Sequence, residues 1–62
     1  MKITIQTRDA SDEDCKRDDY YTVVDGREIL LASCALPSTY TERDVEAKVR
    51  QLFGLDAAII WK

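Results

Sequence analysis

Histidine is absent from this 62-residue chain. The commonest general base is therefore missing, along with the commonest nitrogen ligand for a metal. Glycine occurs twice, at Gly26 and Gly54, and proline once, at Pro37; no glycine-rich phosphate loop can be built from these. Cysteine also occurs only twice, at Cys15 and Cys34, with no CxxC pair. That is too few for a disulfide framework and the wrong pattern for zinc. In a reducing compartment both read as free thiols. No apolar run approaches the roughly 20 residues that cross a membrane. The opening stretch Met1-Lys2-Ile3-Thr4-Ile5-Gln6 alternates like a strand rather than running apolar like a secretory signal, so the chain is read as cytoplasmic. A basic stripe is missing too: the net charge is −3, which argues against direct nucleic-acid binding.

What the chain does have is acid, and in one place. Asp9, Asp12, Glu13, Asp14, Asp18 and Asp19 stand with only Lys16 and Arg17 between them, so residues 9–19 carry −4 against −3 for the whole chain. Ser11 followed by Asp12, Glu13 and Asp14 reads as a helix N-cap with acids in the first turn. Lys16 and Arg17 then fall four residues after Asp12 and Glu13. This predicts a short helical turn at 11–18. At about twelve residues the segment is long for a hairpin loop, a length at which loops are often functional.

The flanking pattern is that of a small sheet. Lys2 to Thr7 alternates as a half-buried strand. Asp25-Gly26 between two β-rich runs is the preferred two-residue hairpin turn. It sets Val24 opposite Arg27, Thr22 opposite Ile29, Tyr21 opposite Leu30 and Tyr20 opposite Leu31. One face then shows Tyr20, Thr22, Val24, Ile29 and Leu31, and the other Tyr21, Val23, Leu30 and Ala32; neither is polar. Pro37 ends the strand. Thr41 reads as a cap, with Tyr40 and Val45 placed for a hydrophobic staple. Val45, Val49, Leu52 and Phe53 form one helical stripe, and Asp44–Lys48 and Glu46–Arg50 are pairs on its wet side. Gly54 stops the helix, with Leu55 placed to close a Schellman contact. Ala57 to Trp61 barely alternates and reads as a strand buried on both sides.

The expected fold is α+β, one domain spanning 1–62: a four-stranded sheet in β-β-β-α-β order, packed on one main helix. If the third and fourth strands lie parallel, the helix is their right-handed crossover. One helix covers one face, so the second face needs the 8–19 segment or another chain to cover it.

No catalytic set emerges. Cys15 stands among carboxylates and Cys34 at an apolar strand end, neither of them the electropositive setting that activates a thiol. Asp18 and Asp19 are adjacent, and neighbours on a strand point to opposite faces. "DASDED" lacks the ligand spacing and the glycine of a calcium loop. Tyr20, Tyr21 and Trp61 fall on strands, where core packing is the default over base stacking. The chain is read as a non-enzyme with no cofactor and no metal.

In its short length, acidic patch, compact hairpin-plus-helix layout and lack of a catalytic set, the chain resembles small phage-encoded inhibitors of host defence, anti-CRISPR proteins among them. The resemblance implies a cytoplasmic binding protein, in a bacterial cell or phage host, that blocks a larger complex. The residues themselves point to Asp12, Glu13, Asp14, Asp18 and Asp19 as contacts for a basic, nucleic-acid-handling protein surface, with Tyr20 or Tyr21 as anchor. The alternative is a homodimeric assembly module, paired through the uncovered sheet face or an edge strand.

Overall fold

The computed structural model describes residues 1–36 and 42–62. The expected cap at Thr41, the staple at Tyr40 and the strand end at Pro37 lie outside the described residues. The chain forms β1 (Lys2–Asp9), β2 (Arg17–Val24), β3 (Arg27–Ala35), α1 (Glu42–Phe53) and β4 (Ala58–Trp61). The sheet order is β3-β2-β1-β4. β1 and β2 are antiparallel, as are β2 and β3, while β4 runs parallel to β1. β3 and β4 thus point the same way but occupy opposite edges. The helix carries the chain from one edge of the sheet to the other, not between neighbours.

The Asp25-Gly26 turn forms as its sequence requires, with φ of 52° and 75° at its two residues. It fixes Val24 to Arg27, Thr22 to Ile29 and Tyr21 to Leu30. One residue later the register shifts, and Tyr20 pairs with Ala32 rather than Leu31. Leu31 is the extra residue of a β-bulge. The bulge reverses the alternation in β3, so Ala32 joins the core side with Leu31 instead of standing on the far face with Tyr21 and Val23.

The helix covers the face that carries Ile3 and Ile5 of β1, Thr22 of β2 and Leu31 of β3. With Val45, Val49 and Ala57 the apolar members of this set form the core. Tyr20, Val24, Phe53, Ile59 and Trp61 pack around it. Leu52 turns outward, leaving Val45, Val49 and Phe53 as the working stripe. Gly54 ends the helix at φ 107°, its N–H donating to the Arg50 carbonyl at 2.9 Å. Leu55 is 86% exposed and closes no hydrophobic cap. β4 is an edge strand, not a strand buried on both sides. It pairs only with β1, and it alternates, Ile59 and Trp61 inward against Ala58 and Ile60 outward.

Candidate interaction surface

The acidic segment is not helical. The β1–β2 ladder pairs Gln6 with Tyr21 and Asp9 with Asp18, and the same register runs on past the strand ends. Ala10 N–H donates to the Arg17 carbonyl and Asp12 N–H to the Cys15 carbonyl, both at 2.9 Å. The connection is therefore a tight hairpin arm whose two-residue tip is Glu13-Asp14. Ser11 and Asp12 do cap, but they cap a turn. The Asp12 carboxylate accepts from the N–H groups of Asp14 at 2.9 Å and Cys15 at 2.8 Å. The Ser11 hydroxyl accepts from Arg17 N–H at 2.9 Å, and Asp9 accepts from Ser11 N–H at 2.9 Å. Hydrogen bonds from Ser11, through its hydroxyl and its backbone, hold the Asp9 carboxyl below its ordinary range. On its other side the arm is braced where Leu36 N–H meets the Lys16 carbonyl at 2.7 Å.

The seven expected contact residues are not brought onto one surface. Glu13 and Asp14 are exposed at the tip, and their carboxylates make no hydrogen bond to a described residue. Asp12 is turned inward to hold the turn. Asp18 and Asp19 part to opposite faces, as strand neighbours must. Asp18 stands opposite Cys34 on the helix side. Tyr20 is on that side too, edge-on to Trp61 with ring centroids 6.1 Å apart. Burial pushes the Tyr20 phenol above its ordinary pKa, with Cys34, Asp18 and Glu42 adding to the effect. The Trp61 indole N–H donates to Glu46 at 2.8 Å, which ties α1 to β4 through a residue the helical pattern places on the wet side. The expected Glu46–Arg50 pair also forms, at 3.8 Å.

Asp19 and Tyr21 belong to the second face, which no described helix covers. There Arg8 is the central group. It meets Glu28 at 2.6 Å and Asp19 at 3.7 Å, and its guanidinium lies 4.7 Å from the centre of the Tyr21 ring. The hydrogen bond to Glu28 is the main cause that raises the Arg8 pKa above its ordinary value. Tyr21 Oη donates to Gln6 at 3.3 Å. Asp19 Oδ1 is buried without a hydrogen-bond partner among the described residues. Arg8, Gln6 and Glu28 escape the sequence reading. The signal for Arg8 was its register: it faces Asp19 directly once the hairpin tip is placed at Glu13-Asp14. Beside this polar group lie Val23, Leu30 and Ile60, exposed at 49%, 52% and 43%.

Cys34 is buried and Cys15 half-buried, and both are free. No three of the described His, Cys, Asp and Glu residues come together to hold a metal ion. No described helix is long and apolar enough to cross a membrane. An open hollow lies beside the Asp25-Gly26 turn.

Fold and surfaces define a small two-layer α+β domain. Compared with protein-family models, with curated proteins and with solved structures, the chain matches none.

Proposed function

We propose that this chain is a small non-enzymatic binding protein that inhibits or regulates a larger complex by setting its acidic hairpin arm against a basic, nucleic-acid-handling surface of a protein partner. One observation carries the reading. The arm is ordered by backbone N–H groups that donate to the side chains of Asp9, Ser11 and Asp12, while the two tip carboxylates, Glu13 and Asp14, are left without a partner among the described residues. Order established before contact lowers the entropic cost of binding, and paired carboxylates at a projecting tip steer association with a cationic surface. The likeness in size, acidity and layout to small phage-encoded inhibitors gives the reading its inhibitory sense. Asp12 acts here as support for the arm; Asp18, Asp19, Tyr20 and Tyr21 lie outside this contact.

The test is capture of a partner by the tagged protein at low salt, with elution in about 1 M salt, where the Debye length is about 3 Å. A basic protein recovered by the wild type, released by salt and lost with Glu13→Gln/Asp14→Asn supports the reading. Equal capture by that variant, or recovery that ignores salt, sinks it.

A further inference from the structure

We infer that the uncovered face of the sheet is the contact surface between two copies of this chain. The face has three properties that together suit a second copy. The first is its apolar content. Val23, Leu30 and Ile60 are each about half exposed, and they come from β2, β3 and β4. They share the face without touching in the register: Leu30 stands beside Tyr21, Val23 beside Glu28, and Ile60 beside Thr4 of β1. Such apolar exposure is what a partner must cover.

The second property concerns charge. A charged group on a face resists burial unless it is paired. Arg8, the cation at the centre, already has Glu28 at 2.6 Å, Asp19 at 3.7 Å and the Tyr21 ring beneath it. Arg17 at the margin donates to Ser33 at 3.4 Å. Arg8 and its two carboxylates are thus a preformed plate, paired within one chain, and Arg17 keeps its charge at the margin. A polyanion would gain little from an arginine held by two carboxylates, whereas a flat apolar surface of the same kind gains by covering Val23, Leu30 and Ile60.

The third is size. Strands of eight, eight, nine and four residues, at about 3.3 Å rise and about 4.8 Å spacing, give a face of about 460 Å² per copy. Two copies together bury about 900 Å², close to the lower bound for a specific interface. An isologous contact sets the face against itself, so its width and apolar character match by symmetry. It also enlarges a core in which Ile3, Ile5, Leu31, Cys34, Val45, Val49 and Ala57 are the buried apolar residues described. Short chains lacking a disulfide or metal commonly gain stability by association.

Sedimentation equilibrium over a wide concentration range tests the inference, at low salt and at about 1 M salt, where surface charge is screened. The expected result is a reversible dimer whose dissociation constant changes little with salt. Val23→Glu with Leu30→Glu buries two charges from each copy in the contact and weakens it by about a hundredfold or more. Val23→Thr with Leu30→Thr keeps strand propensity, so it separates loss of contact from loss of fold; circular dichroism monitors both variants. Glu13→Gln/Asp14→Asn leaves the dimer unchanged, because the arm takes no part. A wild type that stays monomeric, a folded Val23/Leu30 variant that dimerises as tightly as wild type, or a dimer abolished by the arm variant each overturns the inference. The last two outcomes place the contact elsewhere; the first two leave the arm's own capture test untouched, and the third makes the arm a self-contact.

Discussion

Two hairpins share β2, and each closes with two residues, but they are held in opposite ways. At Asp25-Gly26 the backbone does the closing, with both residues at positive φ. At Glu13-Asp14 neither residue is left-handed, since Asp25, Gly26 and Gly54 are the described positive-φ positions. There the backbone bond from Asp12 N–H to the Cys15 carbonyl is joined by the side chains of Ser11 and Asp12, which take the N–H groups of Asp14, Cys15 and Arg17. A backbone-held turn restricts its own residue types, because only glycine, asparagine or aspartate sits in the left-handed region at small cost. A turn held by the residue before it leaves both tip positions open to any side chain. This chain fills them with two acids.

The comparison can be broken most strongly at the backbone-held turn. Gly26→Val puts a β-branched residue at φ 75°, at a cost of about 2 kcal/mol. A chain of this size then loses roughly 10 °C in Tm, read by thermal circular dichroism. No atom lies within 4 Å of an added Cβ, so the cost is conformational, and Gly26→Asn recovers most of it. Next is Asp12→Ala, which removes the acceptor of two N–H groups and costs about 1 kcal/mol. Asp12→Asn keeps an acceptor oxygen and most of the stability.

A graft sharpens the contrast. With Asn-Gly in place of Glu13-Asp14 the backbone closes the turn itself, and the added effect of Asp12→Ala falls below about 0.5 kcal/mol in a double-mutant cycle. Neutralising the tip by Glu13→Gln and Asp14→Asn shifts stability by no more than about 0.5 kcal/mol, as for other exposed sites, which keeps the capture experiment interpretable. The smallest effect depends on pH. Asp9 titrates below its ordinary range in the folded arm. Its contribution is therefore complete above the unfolded carboxylate pKa and fades as pH falls through the folded one. Measured against its intrinsic rate at each pH, the Ser11 amide loses protection from exchange in acid before the Asp25-Gly26 turn does.

The same contrast explains what the sequence revealed. Asp25-Gly26 announces itself locally, because its backbone demand selects its residues. The element order followed from it, together with the helical stripe of Val45, Val49 and Phe53. The sequence marks Ser11 as a helix N-cap and Asp12 as an acid of the first turn; the structure has no helix there and gives the main capping role to Asp12, because capping chemistry is common to helices and turns. What decided between them was pairing at a distance, Asp9 with Asp18 and Arg8 with Asp19, which no local pattern contains. The bulge at Leu31 was hidden for a related reason: Ile29 to Ala32 is apolar throughout, so alternation marks no register there. Trp61 reaching Glu46 depends on where the helix crosses the sheet, which the crossover pattern left open.

The parallel pairing of β1 with β4 has a mechanical consequence. The pair is bonded from Ala58 N–H on the Met1 carbonyl to Lys62 N–H on the Ile5 carbonyl. Force applied between residues 2 and 61 pulls these two neighbouring strands lengthwise in opposite directions. Their hydrogen bonds are loaded together rather than one after another. Stretched along that line the domain yields in a single abrupt step, whereas force across residues 17 and 35, paired at the open end of the β2–β3 hairpin, peels it apart bond by bond.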